Sequence, residues 1–272
     1  MPDEHGSYQD SEWWRSHFSG IMLDLWHSLL PQHRAVQDAD FLQSACRLPA
    51  GAKVLDVPCG EGRVALELAA RGHQLVGVDI SPGLLREARR RADERRLPVE
   101  WHEADMRRLP WDGVFDAAFC WGDSFGYLDD AGNREFLAAA HRVLKPGGRL
   151  AMEIGMVAET LFARYREEVT RDVNGIRLAV RRAYDPRSGR LAVEYTLTRG
   201  GTEEKRSASY RIYTCGEVCR LLEQAGFVTD PLSGGAGVPF EIGAERLLVV
   251  ATKVGSVAGR CRPVVADAQP AE

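Results

Sequence analysis

The residues best placed for chemistry lie in one stretch, Val54-Leu55-Asp56-Val57-Pro58-Cys59-Gly60-Glu61-Gly62. An apolar run feeds a glycine turn, and Val64, Ala65, Leu66, Leu68 and Ala69 then recur at helical spacing. Gly60 and Gly62 let the backbone approach a ligand with no Cβ in the way, and the helix start beyond them offers unpaired N–H groups to an anion. Such turns are common in α/β proteins that bind nothing, so the turn alone decides little. Asp56 adds the deciding charge: directly before the turn, it attracts an ammonium and repels a pyrophosphate. That disfavours a dinucleotide site, although Ala65 in the place of a third glycine satisfies the looser dinucleotide fingerprint. Two more acids follow at comparable places. Asp79 ends the apolar run at 74–78, and Asp105, with Met106 beside it, follows the run at 97–102.

With these residues in view, the segment resembles motif I of the class I S-adenosylmethionine-dependent methyltransferases. The likeness is close over residues 50–155 and looser to 253. It implies that Asp79, next to Ile80, takes both ribose hydroxyls, and that Asp105 meets the adenine amino group with Met106 against the ring. The Leu144-Lys145-Pro146-Gly147-Gly148 turn is also similar to that family's. Two positions depart from it: Pro58 stands where the family most often has glycine, and Glu61 where it has threonine or serine. Proline removes an N–H donor and fixes φ near −65°. The cofactor set implied is Asp56, Pro58, Cys59, Gly60, Gly62, Asp79, Ile80, Asp105, Met106 and Trp121, with S-adenosyl-L-methionine as cofactor and S-adenosyl-L-homocysteine as product. A protein of the same fold that binds this cofactor without transferring methyl stays open as the alternative.

On the acceptor side, Trp121-Gly122-Asp123-Ser124-Phe125-Gly126-Tyr127 follows the fourth strand, and ligands in such sheets bind beyond the strands' carboxyl ends. It lacks the Asn-Pro-Pro-Tyr type of motif found in methyltransferases acting on nucleic-acid bases or glutamine, which favours a small-molecule acceptor. Displacement at a sulfonium needs no protonated leaving group, so alignment can supply most of the acceleration. A hydroxyl or acidic carbon would gain from a general base. The candidates are His17, Asp123, Tyr127 and Glu153, with His27 a further histidine of the aromatic N-terminal segment. Trp13, Trp14, Phe18 and Trp26 in that segment either form a lid or pack against the sheet. Tyr184, Tyr195, Tyr210 and Tyr213 either line the acceptor pocket or belong to a small core of their own.

The elements that must position these residues follow an alternating β and α order from Lys53 onward, which predicts a parallel sheet covered by helices. Strands are expected at 53–57, 74–78, 97–102, 115–120 and 149–154, with helices at 82–95 and 133–144. Ser81 before Pro82 is a strong helix start, and Thr214 with Glu217 forms a capping box. After Ile154 come an amphipathic helix at 158–166 and β-rich runs at 176–184, 191–199 and 205–213, an antiparallel meander of about three strands. Strands at 227–230 and 246–252 then close the sheet. The fold expected is a Rossmann-like, doubly wound α/β domain: a seven-stranded, mostly parallel sheet with an antiparallel last strand, plus the inserted meander. Residues 1–50 form a helical lid segment and 51–172 the cofactor-binding core. Residues 173–213 form the insertion, 214–253 the rest of the core, and 254–272 a flexible tail.

Composition bounds the partners. The 272 residues are 44% hydrophobic and 27% charged, with a net charge of −4, so no positive field exists to hold nucleic acid. The arginines at 86–96 alternate with Glu87, Asp93 and Glu94 at helical pairing distance and read as a solvated face. The six cysteines, Cys46, Cys59, Cys120, Cys215, Cys219 and Cys261, form no Cys-x-x-Cys pair and no metal cluster. Free thiols, an acidic N-terminus without a signal-peptide layout and no long apolar run lead to the expectation of a cytoplasmic enzyme, monomer or homodimer, with no membrane and no metal.

Overall fold

A computed structural model of the chain describes residues 12–29, 32–235 and 237–254. Three helices come first: α1 (Trp14–His17), α2 (Gly20–Leu29) and α3 (Gln32–Ala45). The alternating part then runs β1 (Lys53–Asp56), α4 (Arg63–Ala70), β2 (Gln74–Asp79), α5 (Pro82–Arg95), β3 (Val99–Glu103), β4 (Phe115–Cys120), α6 (Asp130–Val143) and β5 (Leu144–Ile154). The five strands lie parallel in the order β3, β2, β1, β4, β5. Their central members are buried almost throughout, as strands covered by helices on both faces must be.

Local chemistry sets the boundaries. Ser81 caps α5 by accepting from Leu84 N at 3.4 Å, with Pro82 preorganising the first turn. Helix α6 begins three residues before the expected Asn133, because the Asp129 carboxylate accepts from Gly132 N at 2.7 Å and caps it there. The expected turn at 145–148 is an irregularity within β5, between the pairs Phe115 with Leu144 and Ala117 with Arg149.

After β5 the chain makes a short helix, α7 (Ala158–Leu161), and a 3-10 turn at Phe162–Arg164, a shorter helix than the pattern at 158–166 predicts. The insertion is a separate antiparallel sheet of four strands, β6 (Glu168–Val173), β7 (Ile176–Asp185), β8 (Arg190–Arg199) and β9 (Thr202–Arg211). The expected meander of three strands starting at 173 thus has a fourth ahead of it. Strand β6 reads Glu-Val-Thr-Arg-Asp-Val and is mostly exposed, so it carries no apolar signature.

One face of this sheet supplies Leu178, Val180, Leu191, Val193 and Tyr210 to a core shared with Trp13, Ile21, Met22 and Leu25 of the N-terminal segment. Polar contacts fasten the same junction. Glu204 accepts from Ile21 N at 2.6 Å, and Arg199 pairs with Asp24 at 2.6 Å.

The chain returns to the main sheet through α8 (Cys215–Gln224), opened by the Thr214–Glu217 capping box. Strand β10 (Phe227–Thr229) pairs antiparallel with β13 (Leu247–Lys253), which also runs antiparallel to β5. The glycine-rich link between them contains the short strands β11 (Ser233–Gly235) and β12 (Val238–Pro239), which bring the seven expected strands to nine. Five cysteines, Cys46, Cys59, Cys120, Cys215 and Cys219, are free thiols. Cys261 and the tail after Val254 lie outside the described residues. Among the described residues no helix is long and apolar enough to cross a membrane.

Candidate functional site

A cleft of about 1090 Å³, its solvent-facing mouth included, opens at the carboxyl ends of β1, β2 and β4. Its two sides differ in kind. Asp56, Pro58, Cys59, Gly60, Asp79 and Ile80 form one side, continued by Asp105 and Met106. The other consists of Trp14, Phe18 and Trp26 from the N-terminal segment, with Trp121 and Tyr127 from the loop after β4.

The three acids do not share one environment. Asp56, at the tip of β1, is 3% exposed. Burial pushes its carboxyl well above the usual range, Asp79 adds to the rise, and Arg63 with the Ala65 backbone opposes it. Asp79 accepts from Gly60 N and from Ser81 N, each at 2.8 Å, and so ties the glycine turn to the end of β2. Burial raises its carboxyl too, against the pull of these backbone donors. Asp105 departs from expectation. The fork of Arg107 donates to both its oxygens at 2.6 to 3.1 Å, and Arg107 N donates at 2.9 Å. Burial raises its carboxyl, but the hydrogen bonds and charge of Arg107 outweigh this and hold it below the ordinary value. An adenine amino group would have to share those oxygens with Arg107, while Ile80, Leu84 and Met106 line the cleft with apolar surface.

The two glycines also part company. Gly60 has φ +55° and nothing within 4 Å of where a Cβ would stand, so the backbone there is open to a ligand. Gly62, with φ +74°, does not line the cleft, and a Cβ on it would collide with the Trp101 ring. Trp101 lies across Gly77 in the same way, so Gly62 is needed to seat the turn on β2 and β3 rather than to meet a ligand. Pro58 follows a cis peptide bond. Burial pushes the Cys59 thiol far up, which leaves it an inert part of the wall.

Of the four candidate general bases, only Tyr127 lines the cleft. Burial raises its hydroxyl further above its ordinary value, Asp123 adds to this, and Ser124 hydrogen-bonds it. Asp123 sits at φ +64° between two lining residues, Gly122 and Ser124, but its carboxylate turns back to accept from Gly155 N. Burial, and then the charge of Glu153, push it up to about 6. Glu153 is buried below the loop and pairs with Arg246 at 2.6 Å and Arg34 at 3.0 Å while accepting from Gly122 N at 3.1 Å. Burial raises its carboxyl, but Arg246 and Arg34 hold it lower than usual, so it is an anchor for the loop. His17 packs among Trp13, Phe18 and Tyr195. Burial, with the charge of Arg206, drives it down to about 4, and it stands off the cleft.

Sequence reasoning missed Arg63, Glu61 and Ser124, all of which line the cleft. Arg63 and Glu61 flank Gly62, so their positions beside the turn were a usable signal. The two readings of the aromatic N-terminal residues both hold, residue by residue. Trp14, Phe18 and Trp26 face the cleft, whereas Trp13 packs at a tilt against Tyr127, ring centroids 4.7 Å apart, and edge-to-face against Tyr210 at 5.2 Å, inside the shared core.

Residues 54–148 match a family profile described as a methyltransferase domain. A demethylmenaquinone methyltransferase of Thermus thermophilus is 42% identical over 103 residues, 37% of this chain and 46% of that protein. The chain thus spans about half the length of the curated relatives it matches. Among solved structures, a S-adenosylmethionine-dependent methyltransferase of Clostridium acetobutylicum shares the fold at 17% identity and a TM-score of 0.75, over 86% of this chain and 97% of that one. An amino pentose methyltransferase of calicheamicin biosynthesis from Micromonospora echinaspora, solved with S-adenosylmethionine bound, gives a TM-score of 0.67 at 25% identity over 87% and 98% of the two chains.

Proposed function

We propose that residues 54–148, which match a methyltransferase-domain profile, are the cofactor-binding part of a class I S-adenosylmethionine-dependent methyltransferase. The chain transfers a methyl group from S-adenosyl-L-methionine to an oxygen, nitrogen or carbon nucleophile of a small molecule. The carrying observation is a cleft whose acidic side, Asp56 and Asp79 about the open Gly60 turn, faces an aromatic side. These residues fit a cationic nucleoside amino acid. Asp56 would take its ammonium, Asp79 its ribose hydroxyls, and Ile80 with Met106 its base. Arg63 Nη1 and Trp121 Nε1 are buried donors with no protein partner on residues that line the same cleft. Buried donors of that kind call for an acceptor.

When bound, the cofactor supplies a sulfonium-activated methyl group whose departure leaves a neutral thioether, so no proton has to reach the leaving atom. The chain's own contribution is therefore mainly alignment and exclusion of water. Trp14, Phe18 and Trp26 close one side against solvent and offer flat apolar faces to an acceptor. Tyr127, neutral at any working pH, positions the acceptor through its hydroxyl. Asp123 is the proton acceptor for a hydroxyl or acidic carbon, once its carboxylate leaves Gly155 N. His17 and Glu153 take no part in the chemistry.

Calorimetry with S-adenosyl-L-homocysteine tests the reading. Replacing Asp79 removes a ligand contact and leaves two backbone donors unpaired, so Asp79→Ala should bind roughly 100-fold more weakly. An unchanged affinity would count decisively against the site. Transfer of labelled methyl to an amine, hydroxyl or carbon acceptor then separates an enzyme from a protein that only binds.

A further inference from the structure

Trp14, Phe18 and Trp26 line the cleft and are only half-buried, so large apolar rings are left partly uncovered there. The rings of Phe18 and Trp26 stand 5.3 Å apart at 60°. Trp14 meets Trp13 edge-to-face at 6.1 Å, and Trp13, 4% exposed, donates from Nε1 to Ser209 O at 3.1 Å. These walls are thus held by the inserted sheet before any ligand arrives. Polar groups on this side are few and mostly engaged. Tyr127 is hydrogen-bonded with Ser124, the hydroxyls of Tyr195 and Tyr210 bond each other at 3.2 Å, and Asp123 turns away to Gly155 N. Among the described residues lining the cleft the one cation is Arg63, beside the glycine turn at the start of α4. A carboxylate or phosphate on the acceptor would therefore meet no cation on the aromatic side. A sugar would bury several hydroxyls against rings that cannot pair with them, at the cost of every unpaired buried polar group.

We propose that the acceptor is an uncharged, flat aromatic molecule lying against Trp14, Phe18 and Trp26 with its nucleophilic atom toward Tyr127, an assignment that rests on the reading of the cleft given above. A flat ring removes apolar surface from water on both partners and adds ring-to-ring contact. It asks for only one or two hydrogen bonds at its rim, which the Tyr127 and Ser124 hydroxyls can share. A puckered ring of the same size reaches fewer atoms of each wall at contact distance.

The test is calorimetry on the full chain loaded with S-adenosyl-L-homocysteine, using three probes: naphthol, decahydronaphthol, which has the same carbon skeleton and hydroxyl but is no longer flat, and glucosamine. Naphthol should bind roughly 10-fold more tightly than decahydronaphthol and roughly 100-fold more tightly than glucosamine. Trp14→Leu and Trp26→Leu keep apolar bulk without the flat ring. Each should weaken naphthol roughly 5- to 10-fold and change S-adenosyl-L-homocysteine by less than about twofold. Thermal melts verify folding, and if either variant unfolds, naphthol against decahydronaphthol on the unaltered chain decides alone. Equal affinity for those two, tighter binding of glucosamine, or a naphthol affinity that neither substitution moves would overturn the acceptor class while leaving the cofactor site standing. Failure of the unaltered protein to bind S-adenosyl-L-homocysteine would overturn the site and this assignment together.

Discussion

The acidic and aromatic sides of the cleft are built by different kinds of chain. The acidic side comes from consecutive strand ends within residues 53–105, where each functional residue sits at a fixed place in a βαβ repeat. The aromatic side comes from the N-terminal segment and the loop after β4, and it is held by the inserted sheet, whose strands lie far away in the chain. A regular fold element can therefore present charge to a standard ligand, while the surface toward a variable acceptor is delegated to appended parts. If that division is real, substitutions on the two sides should affect different ligands.

The largest expected effect concerns Gly62, which belongs to the acidic side by sequence and to the packing by geometry. Gly62→Ala forces an unfavourable positive φ and a collision with Trp101, so it should lower stability by about 3 kcal/mol. Chemical denaturation measures this. A stable variant with weakened cofactor binding would instead return Gly62 to the ligand side.

Next comes pH. The Asp56 carboxyl is raised in the free protein by burial and by Asp79, with Arg63 opposing and Cys59 also facing it. A bound ammonium lowers it again, so binding releases a proton. Affinity for S-adenosyl-L-homocysteine should rise with pH by up to about tenfold per unit between the two values and level off above the free one. Calorimetry in buffers of different ionisation enthalpy reads the proton directly, and uptake rather than release would contradict the sign. Since the raised value makes the ionised form costly, Asp56→Asn should melt higher than the unaltered protein at neutral pH.

On the other side, Trp14→Ala should raise the acceptor KM roughly tenfold, the scale of one lost aromatic contact, with cofactor affinity changed by less than about twofold. Equal effects on both ligands would dissolve the distinction. The smallest effect expected is that of Thr214→Ala, which removes the cap of α8, a helix with no residue lining the cleft. It should cost about 1 kcal/mol of stability and leave both ligands' affinities alone.

The same division governs what could be read in advance. Strand β4 lies where the apolar run put it, β1 ends one residue before the expected Val57, and Ser81 caps α5 because hydroxyl and proline act within one turn of chain. Strand β6 went unread because its residues face water and it is defined only by pairing with β7. The capture of Asp105 by Arg107 escaped for another reason: two residues' separation permits the contact, but the loop's backbone decides it. The surroundings of His17 and Glu153 were not legible, since the edge contact of His17 with Tyr195 and the Arg246 pair of Glu153 depend on residues far along the chain. Arg63 stood in plain sight beside the turn, and only its buried, unpartnered Nη1 singles it out.

The fastening of Ile21 N to Glu204 joins positions 183 apart in the chain. Loop-closure entropy opposes so remote a contact until intervening structure has shortened the distance. Docking of α2 is therefore expected to wait until the inserted sheet has folded and brought Glu204 within reach.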